Sequence, residues 1–120
     1  MTLEELRALS DSRLEFAVAR TMGWTNVGNI ATQDGSWMAG TRPGSDDLEN
    51  IPDYATDLNA ITAAVREWCG EDYMRQLQFS MELKHVINPE RPHIAFPYIT
   101  ATARDLSMAL VLAAQGEGLE

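Results

Sequence analysis

The sequence predicts a single α+β domain in which amphipathic helices pack on a short, mainly antiparallel sheet. Three observations carry that prediction. Apolar residues recur at helical intervals in three stretches, the segments between those stretches change to a strand-like pattern, and each such segment holds two runs separated by turn formers. The resulting order is α-β-β-α-β-β-α, with three helices on a sheet of about four strands. At 120 residues the chain has the size of one domain spanning residues 1–120. About two-thirds of the unfolded surface can be buried at that length without a metal or a disulfide.

Thr2 and Glu5 have capping-box spacing and open a helix that carries Leu3, Leu6 and Leu9. Ser10-Asp11-Ser12 marks a break or a second cap, with Ser12 and Glu15 again three apart. Leu14, Ala17, Val18 and Met22 continue the apolar stripe to Gly23, a suitable C-cap, so helix is expected over residues 3–22. From Trp24 the helical period is lost. Val27, Ile30, Trp37 and Met38 flank Asp34-Gly35, a strong hairpin signal, which places strands at 26–32 and 36–41. Arg42-Pro43-Gly44-Ser45-Asp46-Asp47 combines turn formers with like charge, and residues 42–52 read as an exposed loop.

Thr56 is the expected N-cap of a central helix, with Asp57 complementing its dipole, Leu58, Ile61, Val65 and Trp68 facing the core, and Gly70 closing it. From Gln76 to His85, Leu77, Phe79, Met81 and Leu83 alternate with Gln76, Gln78, Ser80, Glu82 and Lys84, which predicts a strand with one core face and one polar face. After the turn-rich residues 88–92, His93 to Ala101 reads as its strand partner, placed at an edge or a bulge by Pro97. Thr102 and Asp105 form a further capping box for a last helix with Leu106, Met108, Ala109, Leu110, Ala113 and Ala114, and residues 116–120 make a frayed tail.

Eighteen acidic against nine basic residues give a formal charge of −9, a field that repels phosphate backbones and anionic lipid. Nonspecific nucleic-acid binding and membrane association are therefore not expected. Eight of the nine cations are arginines, and a few of them can still converge on a compact carboxylate or phosphate. Cys69, the only cysteine, can form no intramolecular disulfide and reads as a buried hydrophobe in a reducing cytoplasm. Glu4 and Glu5 stand where a secretion signal would be basic, and no apolar run is long enough for a membrane span, so the expected location is cytoplasmic.

Three segments resemble the phage ABA sandwich domain family of small phage and prophage proteins. They are residues 14–24, ending in Met22-Gly23-Trp24, residues 52–60, with the Pro52-Asp53-Tyr54-Ala55-Thr56-Asp57 run, and the Ala-rich last helix. The resemblance implies an α-β-α layered arrangement and a phage or prophage origin, hence a bacterial host cell. It implies no activity.

No nucleophile elbow, phosphate loop or paired-cysteine pattern occurs in the sequence. His85 and His93 bracket a predicted turn and would need Glu82 or Glu90 to complete a metal site; solvent-accessible hairpin histidines are the preferred reading, and no metal or cofactor is expected. Two clusters are candidate ligand sites. Asp53, Tyr54 and Asp57 lie at a helix N-terminus that can grip a polar group, although capping and stapling explain the same residues. Gln78 on the polar strand face, with Arg75, Trp37 or Tyr98 available to stack, can read a planar base or ribose, and a merely solvated face, the preferred reading, explains the same residues. The functional expectation is a phage-type accessory protein that binds a host protein or small molecule without catalysis, in one form a sponge for a nucleotide-derived immune signal. The alternatives are a small hydrolase or nucleotide-modifying enzyme using Asp53, Asp57 or His85, and a self-associating virion or assembly component, a homo-oligomer paired through a sheet edge.

Overall fold

The computed structural model describes residues 1–33, 35–87 and 101–117. Its elements are α1 (Leu3–Ala8), α2 (Asp11–Thr21), β1 (Thr25–Thr32), β2 (Gly35–Thr41), β3 (Leu48–Asn50), α3 (Leu58–Cys69), α4 (Tyr73–Ile87) and α5 (Ala103–Glu117). The mixed α+β class holds. Among the described residues there are five helices and one antiparallel sheet in the order β1-β2-β3, in place of three helices and about four strands.

The N-terminal region follows its local signals closely. The Thr2 hydroxyl accepts the Glu5 N–H at 3.2 Å while Glu5 Oε1 accepts the Thr2 N–H at 2.9 Å, so the capping box is closed. Leu9 is extended, and Ser10 then caps α2 by accepting the Arg13 N–H at 3.3 Å. Ser10 thus takes the capping role that the spacing of Ser12 and Glu15 suggests, which leaves Glu15 free to turn inward. At the far end Trp24 N–H reaches Ala19 O and Gly23 N–H reaches Arg20 O, both at 3.0 Å, with Gly23 at φ +93°. This is a Schellman cap, and it delivers Trp24 into the core.

β1 and β2 form the expected hairpin, pairing Ile30 with Trp37 and Thr32 with Gly35; Asp34 lies outside the described residues. A register shift between Thr25 and Gly28, with Asn26 at φ +53°, marks a bulge at the start of β1. At Gly40 the backbone approaches its neighbours closely: an added Cβ would come within 3.1 Å of the Trp24 ring and 3.2 Å of Thr25 O and would crowd both. The predicted loop 42–52 contains one ordered element. Leu48–Asn50 adds β3 to β2, and the following Ile51, buried, donates its N–H to Met38 O at 3.1 Å. Three residues are too few to show an alternating pattern, so pairing alone reveals this strand.

α3 is capped by Asp57 and not by Thr56: Asp57 Oδ1 accepts the N–H groups of Asn59 at 3.0 Å and Ala60 at 3.3 Å. Its buried face is Ile61, Ala64, Trp68 and Cys69, whereas Leu58 is 52% exposed and Val65 is half-buried.

The largest correction concerns residues 76–85, which are helical and belong to α4. Leu, Met, Gln, Glu and Lys are strong helix formers, and no β-branched residue occurs between Gln76 and His85. Asp72 opens the helix by accepting the Met74 and Arg75 N–H groups at 3.0 and 3.2 Å. Successive alternate residues turn by about 200° around a helix, so the apolar set splits into two opposed faces. Phe79, Leu83 and Val86 are buried, while Met74, Leu77 and Met81 look outward. The predicted partner strand from His93, and Tyr98 within it, lie outside the described residues up to Ala101.

α5 is the centre of the molecule and packs against each of the other four helices. Met108, Ala109, Leu110, Val111 and Ala113 are all buried, the expected pattern for a helix covered on most sides. Its cap is the predicted one: Thr102 Oγ1 accepts the Asp105 N–H and Asp105 Oδ2 accepts the Thr102 N–H, each at 3.1 Å. The helix runs through Gly116 to Glu117, two residues into the predicted tail. The sheet joins the helices mainly through β1 against α2. No helix among the described residues is long and apolar enough to cross a membrane.

Candidate functional site

The residues singled out in the sequence are taken up in separate local roles. Asp57 caps α3. The Tyr54 ring is buried, its phenol is pushed up by burial and then by the charge of Glu67, and its carbonyl accepts from Ser107 Oγ at 2.9 Å. Asp53 is exposed, and its carbonyl accepts the Thr56 and Asp57 N–H groups at 3.1 and 2.7 Å. This loop is stapled to the core and offers no open cup of amides.

Arg75 lies over the Trp68 ring at 4.9 Å, donates to Trp68 O at 2.8 Å and faces Asp72 Oδ2 at 3.9 Å. Gln78 donates to Glu82 Oε1 at 3.1 Å and lies against Gly116 of α5. Trp37 is half-buried opposite Ile30. Because 76–85 is a helix, Gln76, Gln78, Ser80, Glu82 and Lys84 share no common face, and the polar strand platform does not exist. His85 is exposed, His93 lies outside the described residues, and no three His, Cys, Asp or Glu side chains among the described residues come together to hold a metal.

The structure opens a different site between α2 and β1. A cleft of about 460 Å³ is lined by Arg13, Phe16, Ala17 and Arg20 of α2 and by Val27, Gly28 and Asn29 of β1, with Ser10, Ser12, Leu9 and Met1 at one end. The four α2 residues follow i, i+3, i+4, i+7 spacing and so form one stripe, an aromatic ring between two guanidinium groups. Seven residues span about 10 Å of helix. Neither arginine has an ion-pair or hydrogen-bond partner for its guanidinium among the described residues, and both are exposed. No described carboxylate lines the cleft. An added Cβ on Gly28 would meet nothing within 4 Å, so the β1 wall is open there.

A second cleft of about 300 Å³ lies between Trp24, Tyr54 and the Ala60, Ala63 and Ala64 face of α3. Its arginine, Arg42, is paired with Glu49 at 3.3 Å, and Glu67 adds negative charge to its wall. It suits an anion less well than the α2–β1 cleft does.

The Arg13-Phe16-Ala17-Arg20 stripe is present in the sequence as helical spacing, but the apolar stripe of Leu14, Val18 and Met22 dominates that helix. Only the packing of β1 against α2 supplies the second wall. Family models, curated proteins and solved structures give no match to this chain.

Proposed function

We propose that the protein works by binding, and that the α2–β1 cleft holds a small anionic ligand bearing a planar group. The observation that carries this reading is the pair of arginines, Arg13 and Arg20, without a partner among the described residues, on one stripe in a chain with twice as many acids as bases. Of the other described arginines, Arg7, Arg42, Arg75 and Arg104 are engaged, with Val86 O, Glu49, Trp68 and Asp11, while Arg66 stands alone on α3 with no second arginine on its stripe. Guanidinium groups grip phosphate or carboxylate through paired donors, and the intervening Phe16 offers a face for stacking. A spacing of about 10 Å accommodates a ligand with an anionic group at each end, or with an anion at one end and a ring in the middle.

A nucleotide-type molecule has that chemistry, and the resemblance to small phage proteins gives the proposal its specific form: an accessory protein that sequesters a nucleotide-derived signal of a bacterial host. The enzyme reading has less support. No described carboxylate, histidine or cysteine lines the cleft to serve as acid, base or nucleophile.

The test is calorimetric titration with a panel of nucleoside phosphates and cyclic dinucleotides. Binding should weaken with salt, and Arg13→Ala and Arg20→Ala should each lower affinity roughly tenfold without moving the melting temperature. Ligand released by heating should be chemically unchanged. Failure of every phosphate-bearing probe, affinity indifferent to both substitutions, or recovery of a converted ligand would overturn the reading.

A further inference from the structure

α4 has two apolar faces, and only one of them is covered. Phe79, Leu83 and Val86 are buried, whereas Met74, Leu77 and Met81, at i, i+3 and i+7, are 67, 41 and 56% exposed, with Tyr73 beside them at 70%. A surface helix ordinarily turns a polar face to water. Here the outward stripe is apolar over about two turns, and it is rich in methionine, whose flexible thioether packs well against variable surfaces.

The charges around this stripe indicate what covers it. Lys84 continues the stripe one turn beyond Met81, and Glu71 stands just before the helix. Neither has an ion-pair or hydrogen-bond partner for its charged group among the described residues. Asp72 beside Glu71 is already engaged by the Met74 and Arg75 amides. The helix is thus acidic before its first turn and basic in its last, with Lys84 and His85, around an apolar centre at Leu77.

We propose that α4 is the contact face of a homodimer in which two copies pair antiparallel about a two-fold axis at Leu77. The axis sets Tyr73 and Met74 of one copy against Met81 of the other. Lys84 lies seven residues beyond the axis, about 10 Å along the helix, and Glu71 precedes the first turn at the opposite end, so each lysine is directed to the acidic end of the other copy's helix. The two-fold makes this contact twice and opposes the helix dipoles favourably. A parallel arrangement would bring Lys84 onto Lys84. A single helix pair is a small interface, so association should be weak and concentration-dependent. The face lies on a different element from the α2–β1 cleft, and the two proposals fail independently.

Sedimentation velocity of the full chain over a concentration series tests the pairing. The expected result is a monomer–dimer equilibrium that Leu77→Glu abolishes while circular dichroism and the melting temperature of the dilute protein stay unchanged. Lys84→Glu or Glu71→Lys alone should weaken association roughly tenfold, and the double variant should restore it. Under mild oxidation Leu77→Cys should cross-link to itself, while the wild type, whose Cys69 is buried, should not. A monomer at every concentration, or a dimer that tolerates Leu77→Glu and shows no charge-swap rescue, overturns the proposal.

Discussion

Glu15 shows how one side chain can be legible as a residue and not as a role. Its spacing from Ser12 suggests a cap, yet it is 4% exposed, and its Oε2 accepts the Ala55 N–H at 3.1 Å, tying α2 to the segment before α3. Burial raises its carboxyl above the ordinary glutamate value, the Ala55 N–H opposes that shift, and the charges of Asp53 and Asp11 add to it. A folded-state value above the unfolded one means that the folded chain holds the proton more tightly. Glu15 therefore contributes most at low pH, and its contribution falls as pH rises from about 4.3, the unfolded value, through the raised folded one. Glu15→Gln keeps an acceptor for Ala55 and removes the titration. In urea unfolding across pH the variant should gain stability relative to wild type as pH rises through that window and then hold a constant difference. A difference that stays flat over the whole range would mean that the carboxyl is not perturbed.

At the scale of elements, α4 decides which alternation is real. A strand over 76–85 would put Leu77, Phe79, Met81 and Leu83 together in the core, while the helix buries only Phe79 and Leu83. Phe79→Ala should therefore cost about 3–5 kcal/mol, the range for a buried aromatic. Met81→Ala, and Leu58→Ala at the exposed start of α3, should each cost less than about 1 kcal/mol in dilute protein. Equal losses at Phe79 and Met81 would restore the strand. The sequence contained the correction: the composition is that of a helix, and only the period-2 pattern argued otherwise. A helix with two apolar faces produces the same alternation as a half-buried strand, because residues two apart lie on nearly opposite sides.

For the whole molecule, the joint between the two ends of the described chain rests on Arg104. Its guanidinium bonds Asp11 Oδ1 at 2.7 Å and the carbonyls of Leu9, Arg7 and Leu6 at 2.6, 3.1 and 3.3 Å. One side chain of α5 thus closes the C-terminal end of α1 and holds the start of α2, which satisfies carbonyls that a short helix leaves open. Arg104→Lys keeps the charge but loses the planar fork, and should cost about 1–3 kcal/mol in thermal or denaturant unfolding. An unchanged midpoint would show that water replaces these bonds without loss.

The sequence by itself determined the mixed class, the break near Ser10, the β1–β2 hairpin and the position of the last helix. Each of these is encoded by neighbours a few residues apart, through caps, glycine conformations and turn chemistry. Only the tertiary structure decided that α5 is the hub, that Glu15 turns inward, that Leu48–Asn50 pairs with β2 and that Arg13 and Arg20 face β1 across a cleft. Those facts depend on which surfaces meet across dozens of residues. Local propensity is too weak to specify such meetings, because burying apolar area favours any close-fitting partner regardless of its distance along the chain.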